Sequence, residues 1–504
     1  MAVETERVYQ PLLARPWLVL ALALGVGAGV DLLVLRHPVG LGTSVVGVLL
    51  AAGVMLGRTF FGMRTTQESF VLAATLGFWS VLLSVRAAPA LAFLNSMAAV
   101  LLLGLTFRLL TSGGLPKWTI AGYVRSGVAT LRGWMVEPVG FLTVDFSGRW
   151  PKANLGRFAK YLIGMILALP LLGVFAALFS SADPVFEGYL DSLLSIDVDL
   201  VSITGHLMAV LGVTWLAIGA ARYALAPHRE EETRTARPLL GPVESATMLV
   251  LLNGLFLAFV IVQSAYLFDG SEILTRAGLT YADYARRGFF ELVAVGSLVV
   301  GLVLVVDWMV QRRTARFRAV DLLHGGLIAL TLVVLASAAQ RMRLYTEAFG
   351  LTELRLYTSV FMGWVFLVLG WLVITVLRGR RATFALGAFV SALVVLAGLT
   401  LANPGGIIVH TNVAREATTL PELDVTYLVD LGPDAIPALI EVLDEVQACE
   451  TRADLAGKLL RAGEGGFAEA GTDWRSATWS AFRAQSALTD FELRLQTTAL
   501  GACT

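Results

Sequence analysis

The stretch TFALGAFVSALVVLAGLTLA, Thr383–Ala402, contains twenty consecutive residues without a charge. A helix needs about 20 mainly apolar residues to cross the hydrocarbon core of a bilayer. The run is continuous, whereas a strand of a membrane β-barrel alternates apolar and polar residues over about ten positions. The stretch therefore predicts a transmembrane α-helix.

Ten further apolar stretches precede this one, which predicts an all-α, polytopic transmembrane helix bundle of about eleven spans. The predicted spans are 17–35, 39–57, 69–85, 89–110, 161–179, 203–225, 243–268, 288–310, 320–340, 357–377 and 383–402. The second and third predicted spans are short. If they pair as a hairpin, the number of spans changes by one.

The composition agrees with a membrane protein. The chain has 504 residues, of which 57% are hydrophobic and 15% are charged, and its mean hydropathy is +0.74. Soluble domains carry about 25% charged residues, so these values exclude a soluble enzyme, a disordered protein and a disulfide-stapled secreted module. The 38 basic and 38 acidic residues balance, which argues against a nucleic-acid partner, because such binders carry a basic excess.

Lys and Arg are distributed unevenly between alternate loops. With a cytoplasmic N-terminus, the inside segments carry nearly three times as many basic residues as the outside loops before the tail. Cytoplasmic loops are enriched in Lys and Arg, so eleven spans place the N-terminus inside and the C-terminus outside. An even number of spans would bring the tail inside. Residues 1–16 are polar and no small-residue cleavage site follows the first span, so we expect that span to stay in the mature protein.

This topology divides the chain into five segments. They are a cytoplasmic N-terminus (1–16), four transmembrane helices (17–110), a basic amphipathic cytoplasmic loop (111–160), seven transmembrane helices (161–402) and an extracytoplasmic helical cap (403–504). In the cap, Asp424 is predicted to begin a short helix, Pro433 a second helix reaching Gln447, and residues 474–500 a longer one.

Apolar residues in the 111–160 loop follow helical spacing, at Ile120, Val124, Leu131 and Met135, with basic residues elsewhere on the helical wheel. Two interpretations stay open. One is an interfacial helix that lies on anionic lipid. The other is an ordinary basic loop on the cytoplasmic side.

No catalytic, cofactor-binding or metal-binding motif stands out, and we expect no cofactor. The five histidines have no metal-ligand spacing, and no Walker loop occurs. Polar residues inside spans are the usual pointer to function in such proteins. In this sequence the candidates are Asp31, Asn95, His206, Asn253, Gln263 and Asp307. Neither aspartate is placed at mid-bilayer depth, which counts mildly against a proton-driven transporter.

The loops before the eighth and tenth spans hold the densest charge. Their candidate residues, which we call the outer polar cluster, are Tyr281, Tyr284, Arg286, Arg287, Glu291, Arg341, Arg343, Tyr345 and Arg355. The cluster either binds a partner or anionic ligand, or docks the tail as a structural network. The tail carries 15 acidic and 7 basic residues from Pro404 to Thr504, and complementary charge orients contacts. The structural interpretation is favoured because most charge clusters are structural. It places the tail on the outer face of the later spans, where the apolar face of Ile436, Leu439 and Leu443 supplies most of the adhesion.

Cys449 and Cys503 are the two cysteines of the chain, and both fall in the tail. The space outside the cytoplasmic membrane oxidises thiols, so we predict a disulfide that closes a loop of about 55 residues. Unpaired thiols are the competing interpretation.

Three blocks of sequence resemble a known family. They are GLTYADYARRGFFEL at 278–292, then RMRLY at 341–345 with GLTELR at 350–355, and a C-terminal block from Asn403 to Arg415 continued by Leu428 and DAIPAL at 434–439. These blocks resemble the bacterial integral-membrane family catalogued as domain of unknown function 4173, which is related to the one numbered 4153. The resemblance covers roughly residues 243–443. It implies a bacterial membrane protein and transfers no catalytic residue, because the family has no established activity.

The favoured function is a non-enzymatic sensor, scaffold or accessory subunit of an envelope system. It would lie in the bacterial cytoplasmic membrane, with the lipid bilayer and an envelope protein as partners. The alternatives are a transporter or channel for a small solute, and a membrane-embedded enzyme acting on lipid or a lipid-linked sugar. A water-filled tunnel lined by Asp31, Asn253 or His206 would favour transport. A closed bundle without a cavity would favour the scaffold function. A lateral groove beside Arg286 and Arg341 would favour an enzyme that acts on lipid.

Overall fold

The structure is a computed structural model. It describes residues 15–61, 67–110, 120–146, 179–183, 200–225, 241–268, 289–309, 318–375, 381–419, 423–463 and 473–497, together with positions 168, 172, 175 and 186. All regular structure within these ranges is helical, and they contain no strand. The all-α fold class predicted from the apolar runs is thereby confirmed.

The helices are numbered in chain order. They are α1 (Pro16–Val30), α2 (Leu41–Phe61), α3 (Gln67–Leu82), α4 (Pro89–Leu109), α5 (Ile120–Gly140), α6 (Leu200–Leu225), α7 (Pro242–Phe268), α8 (Phe289–Met309), α9 (Arg318–Phe349), α10 (Glu353–Thr375), α11 (Arg381–Ala402), α12 (Pro404–Thr419), α13 (Val425–Asp430), α14 (Ile436–Glu441), α15 (Cys449–Arg461) and α16 (Trp479–Thr497). Wider π-type turns extend α1 through Asp31–Leu35 and α5 through Phe141–Phe146.

Seven of the described helices are long and apolar enough to cross a membrane, namely α1, α4, α6, α7, α9, α10 and α11. Shorter apolar segments occur in α2 (Leu41–Leu56) and α8 (Glu291–Val306). Large apolar side chains on these helices point outward, and Leu251 and Leu298 are about 70% exposed. Such a surface is stable against lipid rather than water, so the helices indicate an integral membrane protein. The predicted span at 161–179 lies almost entirely outside the described residues.

The helices pack in two groups. In the first group, α2 packs on α3 and α3 on α4, while α6 packs on both α1 and α5. In the second, α9 packs on α7, α8 and α10, and α10 on α11. Contacts between α4 and α11 join the groups, with Trp79 and Leu102 buried against Phe389.

Glycines allow the closest helix contacts of the first group. A Cβ atom at Gly27 of α1 would overlap the side chain of Thr214 in α6. On the other side of α6, a Cβ atom at Gly219 would overlap the main-chain carbonyl of Trp134 in α5. Small residues of this kind let membrane helices approach closely enough for their backbones to touch.

Helices α12 to α16 surround a hydrophobic core of their own. Ile436, Leu439 and Leu459 are fully buried in it. As predicted, Asp424 caps α13, because its carboxylate accepts the N–H of Tyr427 at 2.9 Å. The single helix predicted from Pro433 to Gln447 is wrong, since this stretch consists of a 3₁₀ turn, α14 and a second 3₁₀ turn.

Backbone conformation sets the ends of two tail helices. Gly432 has a positive φ of 77°, a conformation that glycine adopts readily and that separates α13 from the 3₁₀ turn at Gly432–Asp434. The last helix begins at Trp479 rather than at 474, because residues 473–478 are held in an irregular conformation by bonds to other parts of the chain.

Candidate functional site

Residues 473–480, which we call the C-terminal strap, cross two loops at one end of the bundle. The N–H groups of Leu41 and Gly42 donate to the carbonyl oxygens of Ala477 (2.9 Å) and Arg475 (2.8 Å). At the other end of the strap, the N–H of Trp479 donates to the carbonyl oxygen of Ser84 at 2.7 Å. The strap thus joins the turn before α2 to the turn between α3 and α4.

Asp31 lies beneath this crossing, where α1 widens into its π-type turn. Its side chain is almost completely buried, and one carboxylate oxygen lies 2.5 Å from Nδ1 of His206 in α6. The other oxygen is 3.9 Å from Nε of Arg36. Turns of the π type recur at functional sites. Here the turn brings a buried acid, a histidine and an arginine into one network.

Asp473 forms a second network in the strap itself. Arg475 donates from Nε to both carboxylate oxygens of Asp473, at 2.8 and 3.0 Å, and reaches the carbonyl oxygen of Leu32 with Nη1. Nδ1 of His37 lies 3.0 Å from the same carboxylate. The hydrogen bonds from Arg475, with the nearby His37, lower the pKa of Asp473 to about 2. The strap is therefore held by charge as well as by its main chain.

The depressed pKa of Asp473 predicts how the strap responds to acid. An aspartate in an unfolded chain titrates near pH 3.9, so ionised Asp473 stabilises the strap fully above about pH 4, and this contribution disappears as the pH falls towards 2. We expect faster hydrogen exchange of the strap amides at pH 2.5 than at pH 4.5, after correction for intrinsic rates. In Asp473→Asn the corrected exchange rates of the strap amides should not differ between pH 2.5 and pH 4.5. If the strap amides of variant and wild type were equally protected from hydrogen exchange at pH 5, the prediction would be contradicted.

Asp434 forms the second attachment of the C-terminal helices. Its Oδ2 accepts the N–H groups of Ala87 and Ala88 at 3.0 and 2.8 Å, and Nη1 of Arg86 lies 3.7 Å from Oδ1. Arg86 also donates to the carbonyl oxygens of Thr400 and Leu401 at the end of α11. Burial raises the pKa of Asp434, although Arg86 and the two N–H groups oppose the shift.

The turn between α9 and α10 provides the third attachment. Asn412 of α12 exchanges two hydrogen bonds with the main chain of Leu351, at 2.7 and 2.8 Å. The hydroxyl of Tyr427 accepts the N–H of Glu353 at 2.8 Å. The three attachments together fix α12 to α16 on loops from both helix groups.

The sequence matches one protein family over most of its length. The match is to the family described as Domain of unknown function (DUF4153) and covers residues 73–442. The chain belongs to the DUF4153 family. The family numbered 4173, suggested by the sequence motifs, is a related label and is not the one matched. No curated protein and no solved structure matches the chain.

The outer polar cluster of this DUF4153 protein is only partly within the described residues. Tyr281, Tyr284, Arg286 and Arg287 lie outside them. Glu291 is exposed in the first turn of α8, and Arg343 pairs with Glu347 on its own helix at 2.8 Å. The role of the cluster in binding stays a prediction.

Arg355 and Tyr345 of the same cluster do meet in the DUF4153 protein. The Arg355 guanidinium lies 4.0 Å from the centre of the Tyr345 ring and donates to the carbonyl oxygens of Phe349 and Gly350. Such cation–π contacts add roughly 0.5–2 kcal/mol. Arg341 also takes part in an interaction. Arg355 thus stabilises the α9–α10 turn by contacts within the turn itself.

The polar residues inside the spans of the DUF4153 protein bond mainly to neighbouring helices. Asn253 donates to the carbonyl oxygen of Leu323 in α9 at 3.0 Å, and Asn95 donates to the hydroxyl of Thr400 in α11 at 3.0 Å. Gln263 is buried, and its amide has no hydrogen-bond partner in the part of the chain that the structure describes. The side chain of Asp307 lies outside that part. The described residues include no group of three or more potential metal ligands.

The sequence did not predict an ion-pair cluster that lies at the end of the bundle opposite the strap. Arg222, in the last turn of α6, donates to Asp145 at 2.8 Å and also pairs with Glu137. All three were visible as charges near a predicted cytoplasmic loop. Their convergence depends on α5 packing along α6, which the loop prediction did not include.

Cys449, at the first position of α15, is disulfide-bonded, and Cys503 lies outside the described residues. The predicted pairing of Cys449 with Cys503 gives a direct test. Protein that is purified without reductant, denatured and alkylated should take up no alkyl group before reduction and two after it, by intact mass. Two alkyl groups without reduction would rule the bridge out.

Proposed function

We propose that this protein is a non-enzymatic scaffold, sensor or accessory subunit of a bacterial envelope system, multi-pass in the cytoplasmic membrane. In this proposal about eleven helices cross the bilayer, the N-terminus is cytoplasmic, and residues 403–504 form an extracytoplasmic cap. The observation that carries the proposal is the triple attachment of the C-terminal helices, which rest on the strap, on Asp434 and on the α9–α10 turn.

The buried polar groups support this function over transport. Oδ2 of Asp31 lies 2.5 Å from Nδ1 of His206, and Oδ1 lies within ion-pair distance of Arg36 at 3.9 Å. Asn253 donates to the main chain of α9. Transport pathways are lined by polar groups that face a water-filled cavity. In contrast, these residues bond across helix contacts and line neither the groove between α9 and α10 nor the one between α3, α4, α5 and α11.

Exposed aromatic residues on the cap offer a surface for a partner. Trp474, Trp479 and Phe482 are each more than half exposed, and the rings of Trp479 and Phe482 stack at 5.9 Å. Large aromatic side chains are enriched at protein interfaces. They sit at or beside the strap, so a partner bound there would sense the arrangement of the loops beneath it.

The topology is tested by cysteine accessibility in intact cells. Single cysteines are introduced near Met1 and at exposed Asp430 of the cap, in a background where both native cysteines are serine. An impermeant maleimide should label the Asp430 position and leave the Met1 position unlabelled until the cells are opened. Labelling of the Met1 position in intact cells would overturn the proposed orientation.

The scaffold role is tested by photocrosslinking in cells. A photoreactive phenylalanine at Phe482 should give a discrete crosslinked protein, whereas the same residue at lipid-facing Leu367 should not. The amount of adduct should fall in Asp434→Ala, which removes one of the three attachments of the cap. If Phe482 gives no adduct, and proteoliposomes show solute flux that depends on Asp31 and His206, transport replaces the scaffold proposal.

A lateral groove favours a second candidate function, an enzyme that acts on lipid or a lipid-linked sugar. It measures about 550 Å³ between α9 and α10, with apolar walls and with Arg343 and Glu347 among its lining residues. Such a groove is suited to an acyl chain with a polar head at Arg343. Turnover of a lipid-linked substrate that is lost in Arg343→Ala would favour this candidate over the scaffold.

A further inference from the structure

A second groove, of about 540 Å³, lies between α3, α4, α5 and α11. Its walls are almost entirely apolar and include Leu72, Leu105 and Phe389. The volume falls in the range of about 300–1,000 Å³ that is typical of ligand sites. One face of α5 closes the groove, because its lining residues recur at helical spacing from Tyr123 to Trp134.

One part of this groove is polar and basic. Arg108, in the last turn of α4, is the one charged side chain among the described lining residues, and Tyr123 and Ser126 line the groove from the beginning of α5. The surrounding sequence has the same sign, since residues 108–136 include four basic residues and no acidic one. This charge complements a phosphate rather than a cation.

The surface beside the groove is apolar and faces outward. Val124, Val128 and Leu131 of α5 are each about 60% exposed, which is stable in contact with acyl chains and costly in water. A ligand therefore enters from the bilayer, with its apolar part between the helices and its charged part at Arg108.

We propose that the groove between α3, α4, α5 and α11 binds an anionic phospholipid, with an acyl chain between the helices and the phosphate against Arg108. The proposal goes beyond the scaffold function and does not depend on it. It also gives the interfacial interpretation of the 111–160 loop a defined ligand.

Native mass spectrometry of the full-length protein in mild detergent tests the proposal. Phosphatidylglycerol and phosphatidylcholine with identical acyl chains are added at equal concentration. We expect phosphatidylglycerol to be retained about tenfold better on the wild type. Both lipids carry a phosphate, but only phosphatidylglycerol has a net negative charge to complement Arg108, because the choline of phosphatidylcholine is cationic. Arg108→Gln should abolish this preference.

Glycines provide matched variants that fill the groove. Gly104 and Gly127 line it, and a Cβ atom at either meets no other atom within 4 Å. Gly104→Leu and Gly127→Leu should therefore fold while reducing retention of both lipids. Gly53→Leu in α2 is the control, because Gly53 is equally unobstructed but does not line the groove.

A phosphatidylglycerol carrying a diazirine in its acyl chain gives an independent readout on the wild type. Crosslinked peptides should come from α4, α5 and α11. Equal retention of both lipids by the wild type, or retention unchanged in both leucine variants, would overturn the proposal. Crosslinks spread evenly over all lipid-facing helices would overturn it as well.

Discussion

Replacing Asp434 by alanine is expected to lower the free energy of unfolding by about 3–5 kcal/mol, the usual effect of breaking a buried ion pair. The variant leaves the N–H groups of Ala87 and Ala88 without their acceptor and Arg86 without its carboxylate. Burial already lowers the pKa of Arg86, so an uncompensated charge there is unfavourable. The α3–α4 turn should then be held to the cap by the strap alone, through the bond from Trp479 to Ser84.

Thermal unfolding in detergent and hydrogen exchange of residues 84–88 measure this effect. Asp434→Asn should lose less stability, because its side-chain oxygen still accepts the two N–H groups. Asp430→Ala, at an exposed position four residues earlier, is the matched control and should resemble the wild type. If Asp434→Ala unfolds like the Asp430 control, the attachment contributes nothing.

A single methyl group at Gly219 is expected to destabilise the protein by about 1–3 kcal/mol, the usual cost of overpacking. The added Cβ atom overlaps the main-chain carbonyl of Trp134, which cannot rotate away as a side chain can. Helix α5 must therefore move, which also weakens the 3.0 Å hydrogen bond from Trp215 to the carbonyl oxygen of Met135.

Gly212, one heptad earlier on the same helix, is the control for this variant. A Cβ atom at Gly212 meets no atom within 4 Å, and alanine in a helix interior is favoured over glycine by about 1 kcal/mol. The two substitutions should therefore change the unfolding midpoint in opposite directions. A Gly219→Ala midpoint at or above that of the wild type would show that α5 and α6 do not pack this closely.

Local signals in the sequence predicted much of the fold. Continuous apolar runs identify the membrane helices because bilayer thickness sets their length. The Asp424 cap and the buried positions Ile436 and Leu439 follow from spacing within a few residues. The division of the predicted 433–447 helix into a 3₁₀ turn, α14 and a second 3₁₀ turn could not be predicted, because the apolar spacing of this stretch also fits one continuous helix.

Contacts between distant residues could not be predicted in the same way. Asp31 and His206 were both recognised as polar residues near span ends, but nothing local indicates that residues 175 positions apart are partners. The strap has no periodicity, because its bonds are made by an irregular main chain. The sequence predicts a tail that is oriented by charge and held on the later spans by the apolar face of Ile436, Leu439 and Leu443. In the structure these three residues lie in the core of the C-terminal helices. The tail is attached instead by Asn412, by the Tyr427 hydroxyl and by contacts with the first helix group.

The route of the strap has a consequence for biosynthesis. The ribosome makes Gly42 about 430 residues before Asp473, an interval of roughly 20–90 s at 5–20 residues per second. Until then the loops at residues 36–42 and 84–85 lack the hydrogen-bond partners that the strap supplies. A chain truncated before residue 473 therefore leaves the N–H groups of Leu41 and Gly42 and the carbonyl oxygen of Ser84 without their strap partners, and exposed loops of this kind are preferred sites of proteolytic cleavage.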